Sequence, residues 1–470
     1  MSGILQGLLA SLFSGSPVST LFTWGSNTSG KLGDGTVVNK SSPVQVGALT
    51  NWAQVSAGRF HTACVTTDGT LFTWGRNYNG QLGGGNVILL SSPVQVGALT
   101  NWAQVSVGNG FTACVKTDGT LFTWGSNSTG ILADGTLISK SSPVQVGALT
   151  NWAQVSANDT HIACVKTDGT LFAWGTNTFG QIGDGTVVNR SSPVQVGALT
   201  NWAQVSAGAS HTACVKTDGT LFTWGYNGFG TLGDGTVVRR SSPVQIGSLT
   251  NWSQVAGGSN FNAAIKTDGT MWAWGSNSQG QIGDGTVVDK SSPVQVGALT
   301  NWAQVDGGYF HCGAIKTDGT IWTWGNNGFG QLGINNETHK SSPVQIGALT
   351  NWSQVSAGSD AHTAAVKTDG TIWTWGRNNN GRLGDDTTVN KSSPVQIGAL
   401  TNWSQVSAGL GHTASIKTDG TVWAWGYNTD GQIGDGTVVL RSSPVQVGAL
   451  TNWAQVSAGG THTAALLGVV

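Results

Sequence analysis

Thr67-Asp68-Gly69-Thr70-Leu71-Phe72-Thr73-Trp74-Gly75 places an Asp-Gly pair between two apolar, β-branched-rich runs. In that setting Asp-Gly signals a hairpin. The expected connection is a two-residue type I′ turn, which needs positive φ at both central positions. The segment returns with Asp118, Asp168, Asp218, Asp268, Asp318, Asp369 and Asp419, and its Trp-Gly end occurs nine times, from Trp24 to Trp425. The period is 50 residues, with one single-residue slip at or beside Asp360. Self-similarity at that spacing, with several strands per unit, predicts an all-β propeller or solenoid.

Each unit reads as four strands. In the first full copy these are A, Trp52 to Ser56; B, His61 to Val65; C, Leu71 to Trp74; and D, Pro93 to Val96. Proline cannot donate to a ladder, so a strand headed by Pro93 suits the outer edge. The chain opens with a C and a D strand and ends with an A and a B strand, which are complementary halves of one blade. Eight whole blades and one shared by the two termini give a single closed nine-bladed propeller over 21–470, with an open superhelix as the alternative. Residues 1–20 stand outside the repeat. Ile4, Leu5, Leu8, Leu9, Leu12 and Phe13 form the stripe of a short amphipathic helix followed by a linker.

Composition narrows the function. Charged residues are 9% and the net charge is -1, so the chain has no field with which to hold nucleic acid or an anionic membrane. No apolar run reaches the ~20 residues of a membrane span. Low charge with abundant Ser, Thr, Asn and Gly resembles bacterial or phage surface proteins by association, and localisation and oligomeric state stay open.

Residues that could carry chemistry have plainer readings. Cys64, Cys114, Cys164 and Cys214 share a position that later copies fill with Ala264, Ala314, Ala365, Ser415 and Ala465, which marks buried small side chains. Cys312 is off-pattern with no evident mate. The cysteine copies carry Phe72, Phe122, Phe172 and Phe222, and later ones Trp272, Trp322, Trp373 and Trp423. This is volume compensation, expected between adjacent blades with Cys114 against Phe72. Seven histidines from His61 to His462 share a position that accepts Phe111 and Phe261, so they are expected to be structural, with a local hydrogen bond. Asp34 and its equivalents are followed six residues later by Lys or Arg, the pattern of turn chemistry and local ion pairing. The calcium-loop spacing is absent. No catalytic, cofactor-binding or metal-binding residue is assigned, and no enzyme activity is expected.

Leu21-Phe-Thr-Trp-Gly25, Gly30-Lys-Leu-Gly-Asp-Gly35, Ser42-Pro-Val44 and Gly58-Arg-Phe-His-Thr62 resemble the repeat of the regulator of chromosome condensation family, over residues 21 to 467. The resemblance implies a propeller of four-stranded blades, usually seven. It also implies a choice among nucleotide exchange on a small GTPase, chromatin docking, ultraviolet-B perception and inhibition of β-lactamases. Exchange factors of the family carry a protruding insertion, and these repeats are uniform to one residue. Chromatin docking calls for a basic surface. The photoreceptor's loop Trp has no counterpart in any copy.

The copies differ from one another in two windows, residues 57 to 60 and 76 to 90 and their equivalents. In an antiparallel meander these A-to-B and C-to-D connections emerge on one face. Six basic residues outside the two repeated cationic positions, Lys31, Arg59, Arg76, Arg239, Arg377 and Arg382, all fall there, along with most of the unassigned aromatics. Aromatics with Arg are the composition of binding hot spots. The expected function is a non-enzymatic scaffold that binds a protein or glycan through this face, with a structural ring in a surface or virion assembly as the alternative. The most divergent copy supplies the expected anchor: Arg59, Phe60, Arg76, Tyr78, Leu89 and Leu90, the last two read as exposed. Tyr309, Phe310 and Phe329 form a second region. An intramolecular role for Leu89 and Leu90, against the N-terminal segment, is the competing reading.

Overall fold

The computed structural model describes residues 20–57, 60–108, 110–158, 160–258, 260–298, 300–308 and 310–468. The expected N-terminal helix lies outside them. Among the described residues, thirty-six strands form nine four-stranded antiparallel blades in a ring. In the Trp52 blade, A is Trp52–Ala57, B is His61–Thr66, C is Leu71–Gly75 and D is Leu90–Gln95, paired in that order. D begins three residues before Pro93. Because D pairs only with C, the N–H that proline lacks leaves no ladder partner empty.

Both chain ends build the closing blade. Thr20–Gly25 and Lys40–Gln45 lie beside His462–Leu467 and Trp453–Ala458, with Thr20 opposite Leu467 and Gly25 opposite His462. That blade also packs on the Trp52 blade. Leu21, Val46, Trp52 and Trp74 share one core cluster, and the Trp74 indole donates to the Lys31 carbonyl at 2.9 Å. The ring is therefore shut, and the superhelix is excluded.

The hairpin at Asp68 is not the expected type I′ turn. Gly69 takes positive φ (77°) and Asp68 does not. Gly69 N–H donates to the Thr66 carbonyl and Thr66 N–H to the Thr70 carbonyl, both at 2.9 Å, which closes a three-residue loop with one left-handed position. The extra residue shifts the register by one, so Val65 faces Leu71 and Cys64 faces Phe72. The volume compensation accordingly acts within a blade and not between neighbours. Cys64 pairs with Phe72, Cys114 with Phe122, Ala264 with Trp272 and Ala365 with Trp373. Each larger ring meets a smaller partner beside a strand-A tryptophan, as at Trp52–Phe72 (5.4 Å) and Trp252–Trp272 (6.0 Å).

Repeated side chains join the blades. The Gln54 amide oxygen accepts from Val105 N–H (3.1 Å) and the Ser56 hydroxyl from Val107 N–H (3.3 Å). The same bonds recur at Gln154 and Val205, Gln354 and Val406, and Gln405 and Val456. They give the inner edge of strand A the partners another strand would supply.

The histidines are structural, but their bonds reach the next blade. Buried His61, His161, His211, His311, His362 and His412 place Nε2 within 2.9 to 3.1 Å of Thr112, Thr212, Asn262, Thr363, Thr413 and Thr463. Where Phe111 and Phe261 replace histidine, the following blade carries Ile162 and Cys312 in place of threonine, and each pair shares an apolar cluster. That gives Cys312 its mate.

Candidate functional site

The C-to-D loop is held from within. Buried Asn77 accepts from Leu82 N–H (2.9 Å) and donates to the carbonyls of Asn86 and Ile88 (both 3.0 Å), so one side chain ties both limbs together. Leu82 is buried, and Gly83 lies against the Trp124 indole of the next blade, where a Cβ would collide. In seven other copies the loop is braced by an ion pair, for example Lys40–Asp34 at 2.9 Å and Lys290–Asp284 at 2.7 Å. Burial alone would raise the Asp34 carboxyl, but bonds from Lys40 and Thr36 outweigh it and hold the group below the usual range. The Trp52 blade lacks the pair on both sides, with Gly84 for the acid and Leu90 for the base.

Arg76 lies between two rings. Its guanidinium carbon is 4.9 Å from the centroid of Phe60 and 4.9 Å from that of Tyr78, and its backbone N–H donates to the Phe60 carbonyl at 2.9 Å. Tyr78 is 63% exposed, so the stack ends in a free aromatic face. In three other blades the residue at Arg76's position contacts the preceding blade. Tyr226 packs on Phe179 (5.1 Å), Arg377 stacks on Phe329 (4.9 Å), and Asn326 donates to Gln279 (2.6 Å). Before Arg76 that preceding position is Ser29, and Arg76 turns to its own blade.

Families add to this geometry. The RCC1-like domain model matches residues 16–307, and the regulator of chromosome condensation (RCC1) repeat matches 318–366, 369–416 and 419–466. The chain belongs to the RCC1-like family. Solved structures similar to this RCC1-like ring include human WBSCR16, at 18% identity, 96% coverage of this chain, 99% of that one and a TM-score of 0.53. Prp20p from Saccharomyces cerevisiae, in a structure reported with its binding to Gsp1p and histones, matches at 18% identity, 97% and 92% coverage and a TM-score of 0.55. Yeast RCC1 (Prp20) with bound Kap60 matches at 18%, 97% and 90%, and 0.53. At this identity the likeness is one of fold. Among curated protein sequences, none matches the chain.

Of the residues expected to form the site, the RCC1-like ring brings Phe60, Arg76 and Tyr78 together. Arg59 and Tyr309 lie outside the described residues. Leu89 and Leu90 are not exposed as expected. Both are half-buried: Leu90 opens strand D opposite Gly75, and Leu89 lies against Gly30 of the closing blade. The loop returns into the sheet there, which puts both leucines in the framework. Phe310 (47% exposed) and Phe329 (38%) belong to the Trp302 blade, across the ring from the first cluster. The pairing of position 76 with position 79 of the preceding blade was not anticipated, although its fixed offset in sequence could have shown it.

Chemistry is withheld from the titratable groups that the repeat places inside. Burial pushes the His61 imidazole down to about 4 and the thiols of Cys64 and Cys114 well up. Among the described residues, no group of three or more His, Cys, Asp or Glu could hold a metal ion. No described helix is long and apolar enough to cross a membrane.

Proposed function

We propose that this chain is a binding scaffold that captures a protein partner on the face carrying the A-to-B and C-to-D loops, anchored by Phe60, Arg76 and Tyr78. The observation that carries the reading is the Arg76 guanidinium stacked between Phe60 and an exposed Tyr78. Stacking immobilises both long side chains before a partner arrives, which reduces the ordering cost on binding. The aromatic–arginine composition is that of a hot spot. The rest of the ring builds the same loop without these residues, so the framework does not call for them. Phe310 and Phe329 supply a second contact region for a large partner. Protein binding by Prp20p, on the same fold, agrees in kind.

Site-specific photocrosslinking tests the reading. p-Benzoylphenylalanine placed at Tyr78 is expected to give a discrete protein adduct in extract of the source cells, while the same probe at Ser278, the equivalent position in the Trp252 blade, gives none. Arg76→Ala is expected to lower the yield roughly 30-fold, the effect of a ~2 kcal/mol hot spot. Equal adducts from both positions would favour the structural-ring reading. A glycan-array signal lost with Tyr78→Ala would make the ligand a sugar.

A further inference from the structure

The C-to-D loops share a feature that partner capture leaves unused. Seven of the nine tips are aliphatic pairs, among them Val37-Val38, Val87-Ile88, Leu137-Ile138 and Val438-Val439, and the Trp352 blade has the single Val389; each of these residues is 46 to 67% exposed. From each tip's base Gly85 N–H, or its equivalent, donates to strand D of the next blade (Gly85 to Ser141, 2.7 Å), so the pairs sit at the outer rim, between neighbouring D strands. The fold does not require them. In the Trp302 blade the tip is Asn336-Glu337-Thr338, and Asn327 still donates to the carbonyls of Asn336 (2.7 Å) and Thr338 (3.1 Å), as Asn77 does in its own loop.

We infer that this rim is the interface for a second copy of the chain, joined ring to ring about a two-fold axis. A surface repeated blade after blade is matched by a partner with the same repeat, and a two-fold sets aliphatic pair against aliphatic pair in a closed, isologous contact. The area suffices. Fifteen such residues, each with on the order of 100 Å² of apolar side-chain surface about half or more exposed, present on the order of 800 Å² per ring, the share each partner gives to a standard interface. Charge opposes the contact little, because the repeated charges at the loop bases are paired within each loop, as in Lys140–Asp134 and Lys391–Asp385, and the isolated charges beside the tips are of both signs, Arg239 against Asp289, Glu337 and Asp386. Proline within each D strand discourages strand addition at the outer edge, which leaves the loop tips to make the contact.

Sedimentation equilibrium on the purified full chain tests this. The expected mass is twice the 48.3 kDa of one chain. Replacing Val187, Val188, Val237, Val238, Val287 and Val288 with threonine, which keeps their shape, should raise the dissociation constant at least about 100-fold at unchanged melting temperature. If that variant misfolds, Ile88→Thr with Ile138→Thr is read instead and should raise it by a smaller factor. A chain monomeric at about 100 µM, or a dimer indifferent to both sets, would overturn the inference. So would dissociation by Tyr78→Ala alone, or a monomer that binds neutral phosphatidylcholine vesicles.

Discussion

Acidification from pH 6.5 towards 4 is expected to unfold the ring through its buried histidines. Burial holds His61, His211, His311 and His412 at about 4 and His161 at about 3, against 6.5 for a free imidazole, and pushes His362 well below it. Above pH 6.5 both folded and unfolded chains hold neutral rings, so stability does not change. Below it the unfolded chain takes up protons that the folded ring refuses, until the pH reaches the folded values. Each histidine then removes roughly 1.4 kcal/mol per pH unit, and six together about 8, against a total stability of about 5 to 15 kcal/mol. Tryptophan fluorescence should report a midpoint roughly one to two units below pH 6.5. The chain contains its own control at Phe111 and Ile162. His161→Phe combined with Thr212→Ile copies that apolar pair and should flatten the dependence by one histidine's share. A ring still folded at pH 4 would mean that the histidines are not held neutral by burial.

Asp360→Ala is expected to cost about 3 kcal/mol, because it strands a buried cation. Arg382 is 1% exposed. Its Nη1 donates to the Asp360 carboxylate (2.8 Å), the Asp360 carbonyl (3.0 Å) and the Leu410 carbonyl (3.0 Å), and its Nη2 to Asn379 (2.9 Å). Arg377 reaches the other Asp360 oxygen at 2.6 Å. Asp360 lies at the only slip in the period, and Arg382 stands where Gln81, Gln181, Gln281, Gln331 and Gln432 stand, so the insertion and its cation form one unit. Adding Arg382→Gln to Asp360→Ala removes the stranded charge and should recover most of the loss, which urea unfolding would read as a coupling of about 2 kcal/mol. Additive costs for the two changes would contradict the pairing.

Blade number and strand order were legible in the sequence, because a 50-residue period that opens with a C and a D strand and closes with an A and a B strand supplies the two halves of one blade; closure over the superhelix is decided by the pairing of Thr20–Gly25 with His462–Leu467. The register was misread at Asp68-Gly69. Asp-Gly suits both a two-residue loop with two left-handed positions and a three-residue loop with one, and the hydrogen bonds of Thr66 and Thr70 select the second. The histidine bonds were misjudged as local because their partners lie in the next blade. The joint exchange of His-Thr for Phe111-Ile162 and Phe261-Cys312 carries the signal. At the candidate site, Phe60, Arg76 and Tyr78 stood out by departing from their siblings. Leu89 and Leu90 departed too, but Leu90 replaces one half of an ion pair whose other half is missing at Gly84, and strand D begins at that residue. Divergence marked both groups, and only burial separates them.

The division between a repeated framework and a diverged binding loop is tested most directly by moving one loop. Replacing residues 76–90 with the sequence of residues 276–290 restores the Asp–Lys brace and removes Arg76 and Tyr78. The melting temperature is expected to hold or rise while partner capture is lost, and the reverse graft, combined with Asn260→Phe to supply the counterpart of Phe60, should carry capture to the Trp252 blade. Capture that survives the exchange, or a ring that melts because of it, would contradict the assignment of binding to this loop.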